Sequence, residues 1–283
     1  MKRIERHIVD ILRAGMPLIM FLLAFSSSTV AQEQKKERKG EFYLSWGYNT
    51  EWYTHSDIHV SQPSMNNDYK FVDVYGHDYR GWDNQLLEKG LTIPQYNYRI
   101  GYFFNKKKNL AIEINFDHTK FIFSDKNNFY QEKAHLVGTV NGRNVDTMLN
   151  FAWPQFVYYL NNGANFLCFN IVKRWNVWQN KKETIKVDGL LKGGLGPVVP
   201  HVQNTFFGME NKPHFQIGGW NVGVEGAIKV TFFNTVFLEY TNKLDYARYS
   251  GLKIYDGTAS QAFGCYEMVV NLGLSFPIGK RME

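Results

Sequence analysis

Apolar and polar residues alternate strictly in eight stretches of the chain, the period of a strand with one greasy face. The first stretch sets Phe42, Leu44, Trp46, Tyr48 and Trp52 against Tyr43, Ser45, Gly47, Asn49 and Glu51. The second sets Tyr96, Tyr98, Ile100, Tyr102 and Phe104 against Gln95, Asn97, Arg99 and Gly101. Leu110, Ile112, Ile114 and Phe116 oppose Ala111, Glu113, Asn115 and Asp117, and Leu167, Phe169, Ile171, Trp175 and Val177 oppose Cys168, Asn170, Arg174 and Asn176. The same alternation recurs over residues 185–196, 220–232, 236–246 and 266–276. No convincing helical period follows Gly40. Each stretch has the length of about 10 residues that a tilted strand needs to cross a bilayer.

The connections sort by length. Asn105-Lys-Lys-Lys108, Gln179-Asn-Lys-Lys-Glu183 and Phe233-Asn-Thr235 join stretches two to three, four to five and six to seven. The other four connections are several times longer. Short and long links alternate, as in outer-membrane barrels with short periplasmic turns and long outer loops. The expected fold class is therefore all-β: an antiparallel up-and-down transmembrane β-barrel of eight strands. Ten strands are an option, because Asn141-Gly142 after His135–Val140 is a type I′ hairpin signal and Asn161-Asn-Gly163 after Phe156–Leu160 a weaker one.

A soluble eight-stranded barrel of lipocalin type would alternate too, with its apolar parity inward. Three features favour lipid on the apolar side. The polar parity is rich in small residues (Ser45, Gly47, Gly101, Gly194, Gly196, Gly223, Gly273 and Ser275), which suit a crowded interior. Aromatics gather near strand ends at Trp46, Trp52, Tyr96, Phe104, Trp175, Tyr240, Tyr246, Tyr266 and Phe276, like interface girdles. The loop sorting has no rationale in water. A mean hydropathy of −0.36 argues against a helical bundle in lipid but not against a barrel.

The N-terminus carries an address. Met1–Gly15 is basic, residues 16–25 form an apolar run, and Ser26–Ala31 is small, the order of a secretory signal peptide cut after Ala31. Residues 32–40 read as a flexible periplasmic lead-in and 41–283 as the barrel domain. The net charge of +6 has no helical footprint, so no nucleic acid is expected. Two cysteines, Cys168 and Cys265, form no metal or redox motif, and a bond between them would demand close approach across the lumen.

The inward parity carries Glu51, Glu113, Asp117, Asp188, Glu225, Glu239, Asp245 and Glu267 with Arg99, Arg174, Lys186, Lys192, Lys229 and Lys243. Eight strands leave room for side chains but not for an aqueous channel. These charges are expected to cross-link into a plug, since unpaired buried charge is costly.

Signal peptide, eight alternating strands, sorted loops and a charged lumen together resemble the small outer-membrane barrels of Gram-negative bacteria. That class includes the OmpA transmembrane domain, the OmpX and OmpW types and the lipid A-modifying barrels. Residues 93–104 and 112–120 also resemble uncharacterised barrels of Bacteroidota. The chain departs from that pattern after Phe276, where Pro277-Ile-Gly-Lys-Arg-Met-Glu283 follows the aromatic that such barrels often end on. The resemblance implies outer-membrane lipids and the barrel-assembly machinery as partners, a monomer, and no cofactor.

Enzymes of this class act on lipid A or phospholipid through a His, a Ser and a carboxylate at the outer rim. His55 and Ser56 above strand one, and Asp117 and His118 at the end of strand three, are the candidates, with His118 expected to face lipid. Neighbours on a strand point to opposite faces, which weakens both pairs, and no elbow motif is present. His77-Asp78, His135, His201 and His214 lack metal spacing and read as solvated loop residues. The expectation is a noncatalytic barrel, structural or adhesive. Its loops 54–92 and 124–164 would present Tyr- and Trp-rich surface to an unknown extracellular ligand. The alternative is a lipid A- or phospholipid-modifying deacylase or acyltransferase.

Overall fold

The computed structural model describes residues 38–78, 95–105, 109–126, 130, 132–160 and 163–281. The signal peptide over 1–31, its cut after Ala31, most of the lead-in and residues 79–94 of the first long loop lie outside the described residues.

Strands follow one another as β1 (Arg38–Tyr53), β2 (Ser56–Gln62), β3 (Asn67–Val74), β4 (Tyr96–Asn105), β5 (Leu110–Asp117), β6 (Phe121–Ser124), β7 (Glu132–Val140), β8 (Arg143–Phe151) and β9 (Val157–Leu160). Then come β10 (Phe166–Gln179), β11 (Ile185–Pro197), β12 (His201–Phe206), β13 (Met209–Glu210), β14 (His214–Phe215), β15 (Gly219–Phe232), β16 (Val236–Ile254) and β17 (Gly257–Arg281). Eight of them close a ring in the order β1-β4-β5-β10-β11-β15-β16-β17, with β17 pairing back onto β1 from Arg38↔Arg281 to Tyr53↔Cys265. All eight pairings are antiparallel. These are the eight alternating stretches, so the barrel has eight strands and not ten.

Side-chain parity decides which way each face looks. On β5 and β16, Ile112 and Leu238 are 53% and 48% exposed, while the intervening Glu113 and Glu239 are 1% and 3% exposed. On β17, Leu272 is 56% exposed beside a fully buried Asn271. The apolar parity points out and the polar parity points in, around the whole ring. A barrel in water would show the reverse. The inward glycines make room for large neighbours: a Cβ on Gly101 would collide with the Tyr43 ring that lies across it.

The long connections fold into a cap. β16 has 19 residues and β17 has 25, and they stay paired up to Ile254↔Gly257 around Tyr255-Asp256. The expected long loop between strands seven and eight is therefore a continuation of both strands. Such lengths far exceed the roughly 9–11 residues that span a bilayer, so this hairpin stands above the barrel as an arm. On its β17 edge, Thr258–Ser260 pairs with β2, and β3, β7 and β8 extend that sheet. A second sheet of β13, β12, β9 and β6, with β14 on β12, faces it. The hairpin β7–β8 turns at Asn141 and Gly142, with φ of 49° and 73°, the pair of positive angles a type I′ turn requires.

Between the two sheets lies a core of Ile58, Val60, Tyr69, Phe71, Phe121, Phe151, Tyr158, Leu160, Val202 and Phe206, continuous with Tyr249 and Phe263 of the arm. Phe71 meets Phe151 edge-on at 4.8 Å and stacks on Phe206 at 5.8 Å. The aromatic residues of the long loops thus turn inward to build a core. The expected Tyr-rich outward display is not what the described residues show; Trp153, 40% exposed, is an exception.

Candidate functional site

Eight buried carboxylates (Glu51, Glu113, Asp117, Asp188, Glu225, Glu239, Asp245, Glu267) and four buried cations (Arg99, Lys192, Lys229, Lys243) fill the barrel among the described residues. They sort into tiers. In the central tier Arg99 Nη1 donates to Glu113 Oε1 at 3.1 Å and to Glu225 Oε2 at 2.7 Å. Lys192 Nζ donates to Glu113 Oε2 at 2.9 Å and to Glu239 Oε1 at 2.7 Å. The Tyr43 hydroxyl donates to Glu113 at 2.8 Å, and Asn170 Nδ2 reaches both Glu113 and Glu225. Strands on opposite sides of the ring are tied together here, and the lumen is filled.

Below, Arg174 holds Glu41 with two hydrogen bonds of 2.9 and 3.2 Å and lies 3.9 Å over the Phe103 ring. Lys229 sits 3.7 Å over Phe237, and Asn176 donates to Asp188 at 3.0 Å. Above, Lys243 Nζ meets Asp245 at 2.6 Å, Asp117 at 2.7 Å and Glu267 at 3.5 Å. Glu41, Tyr43 and Asp78 were not among the expected network residues; the first two stand on the inward parity of β1, which is the signal that finds them.

The rim candidates do not assemble. His55 lies 3.1 Å from the Asp73 carboxylate, and Ser56 Oγ accepts from Gln261 Nε2 at 2.9 Å. Asp117 is committed to Lys243 inside the lumen. His118 does not face lipid: the chain leaves β5 at Asp117, and the ring is buried, stacked 4.5 Å from Tyr96, with Nδ1–H donating to Asn165 Oδ1 at 2.8 Å. Burial first, and then the nearby Lys120 charge, push this imidazole down to about 4. His55 and His118 thus pair with Asp73 and Asn165, whereas the base of an acyl-transfer site pairs with a hydroxyl nucleophile.

Other loop histidines are less solvated than their sequence suggests. His77 Nε2 meets Glu132 at 2.8 Å and its ring stacks on Tyr130 at 4.7 Å. Asp78 accepts from Thr50 Oγ1 at 2.7 Å and from the Glu51 amide at 3.0 Å. His201 is buried against Phe215. Cys168 and Cys265 are both free and buried. A concavity of about 390 Å³ on the cap is lined by Asp57, His59, Lys70, Arg248, Ser260 and Gln261 among others.

No family model and no curated protein matches the chain. Among solved structures it is similar to the attachment invasion locus protein Ail of Yersinia pestis, at 12% identity over 84% of this chain and 99% of that one, TM-score 0.32. It is similar to the N-terminal β-barrel domain of Pseudomonas aeruginosa OprF, at 11% identity over 85% and 99%, TM-score 0.33. It is likewise similar to the outer membrane protease OmpT of Escherichia coli, at 10% identity over 89% and 100%, TM-score 0.34. The fold itself rests on the closed ladder of eight strands.

Proposed function

We propose that the chain crosses an outer membrane as a plugged eight-stranded barrel that holds a folded cap on the outer side, and that it serves as a noncatalytic structural or surface-recognition protein. One observation carries this: the outward parity of every ring strand is exposed and apolar, while ionised residues bridge the interior. Apolar surface on this scale is stable only against acyl chains. The short links at one end lie at the periplasm and the cap lies outside, as loop lengths in such barrels dictate. A lumen crossed by Arg99 and Lys192 is a core, not a channel.

Recognition belongs to the cap because it is the part that lipid does not cover. Its aromatic core makes it rigid, so any ligand meets a preformed surface at little ordering cost. The lipid-modifying alternative finds no support in the geometry, since His55, Ser56, Asp117 and His118 are each occupied elsewhere.

The test uses a deletion strain complemented with the full chain or with a variant whose cap connections are cut to short turns. Adherence to surfaces and leakage of a periplasmic enzyme are both measured. The expected result is adherence lost in the deletion and in the capless strain, without leakage in the latter. Unchanged adherence together with an intact envelope in the deletion would contradict both roles, and an altered lipid A acyl pattern would restore the enzymatic reading.

A further inference from the structure

The upper lumen has more acceptors than donors. Glu51 and Glu267 stand directly opposite each other on the closing pair β1–β17, both pointing inward and both buried. Two like charges on facing positions repel, and burial strengthens the repulsion. Glu51 Oε1 accepts from Asn49 Nδ2 at 2.6 Å, but Glu51 Oε2 has no hydrogen-bond donor. Neither carboxylate oxygen of Glu267 has one, and Lys243 approaches it at 3.5 Å while sitting closer to Asp117 and Asp245. Gln95, just before β4, points its amide nitrogen to Asp78 and leaves its buried Oε1 without a donor. One inward position below, the buried Asn97 amide is likewise unpartnered.

The charge balance agrees. Five carboxylates meet in this region: Glu51, Asp78, Asp117, Asp245 and Glu267. Among the described residues the cations that act on them include Lys243, Lys120 and Arg99, the last at 3.7 Å from Asp117 and shared with Glu113 and Glu225. Among the described residues Glu51 enters no ion pair, and Glu267 only the 3.5 Å approach of Lys243. Uncompensated buried charge costs several kcal/mol per group in order of magnitude. A polar cluster whose unpartnered atoms are mostly oxygens calls for a positive partner rather than for further acceptors.

We infer that the upper lumen binds one divalent cation of the calcium type between Glu51, Glu267 and the Gln95 side-chain oxygen. The donor set is hard oxygen only, from two carboxylates and an amide, which suits an alkaline-earth ion and not zinc or copper. Among the described residues no three His, Cys, Asp or Glu side chains gather in metal-binding geometry, so amide oxygens and waters complete the coordination, as calcium's flexible shell allows. No ligand motif in the sequence announces it, because the donors come from β1, β17 and the residue just before β4. Tyr53 and the Phe121 and Phe263 rings packed on it roof the site. The ion is therefore taken up as the barrel closes and exchanges slowly afterwards.

The experiment refolds the full mature chain into detergent with calcium or with EDTA, removes free ion by gel filtration, and measures calcium per chain and the heat-unfolding midpoint. The expected result is close to one calcium per chain, with a midpoint that rises with calcium concentration. E51Q and E267Q, each shown folded by its β-sheet circular dichroism, lose the retained ion and at least tenfold of the calcium response. A folded wild-type chain that retains no calcium and shows no midpoint shift overturns the inference, whatever the variants do. So does retention by E51Q and E267Q equal to that of the wild type.

Discussion

Arg99 and Glu225 are 126 residues apart in sequence and hydrogen-bonded at 2.7 Å across the lumen. Their strands, β4 and β15, are separated around the ring by β5, β10 and β11. The bond therefore spans the barrel rather than lacing neighbours along its wall. Because Glu113 and Glu225 both lean on Arg99, its removal leaves two carboxylates short of a partner.

Arg99→Met should accordingly destabilise the barrel by about 3–5 kcal/mol, the cost of breaking a buried ionic group on one side only. The loss would be read as a lower heat-unfolding midpoint on semi-native gels. Replacing Arg99 and Glu225 together, by Met and Gln, should cost less than the single change, because it removes the orphaned charge with its partner. Additive losses would show that the two do not interact.

Phe71 lies among Phe151, Phe156 and Phe206 in the cap core and touches no lumen residue in that cluster. Phe71→Ala is expected to cost about 3–5 kcal/mol of local stability through the cavity it leaves. The cap should then be cleaved by protease in residues 54–74 while the barrel keeps its heat-resistant mobility. If the barrel unfolded with it, cap and barrel would be one cooperative unit.

His118 titrates outside the strands, with its imidazole held at about 4 against an ordinary value of about 6.5. The folded rim favours the neutral ring. Its stabilising contribution is therefore full above about pH 6.5 and is lost as pH falls from there towards 4. Protection of the amides of residues 163–166, taken relative to their intrinsic exchange rates at each pH, should fall between pH 7 and 5, and His118→Gln should remove that part of the fall. An unchanged exchange profile across that range would place the imidazole in water.

Cys168 and Cys265 lie in the interior as free thiols. Native protein should resist alkylation until unfolded, and its gel mobility should not depend on reductant. A reductant-dependent band would indicate a bond that the structure does not contain.

How far the sequence reached depended on length and periodicity. Stretches such as 236–246 alternate over many residues, and one residue of slip would turn every apolar side chain to the wrong face, so their pattern was plain. The cap was not, because β6 and β9 have four residues each and are buried on both faces, which erases alternation. Only Asn141-Gly142 announced its hairpin, through turn chemistry that needs no long window. Charges at the inward parity were readable one by one; which of them meet, such as Arg99 with Glu225, depends on ring closure that no local window contains.

A barrel in lipid requires Leu238, Tyr240 and Leu244 to look outward while Glu239, Thr241 and Lys243 look inward. Nitroxide labels placed singly along 237–244 of the chain in lipid bilayers test this most directly, by comparing collisions with oxygen and with a water-soluble nickel chelate. The expected outcome is a two-residue period, with labels at 238, 240 and 244 open to oxygen and shielded from nickel. Labels at those three positions that meet the nickel chelate freely would contradict it.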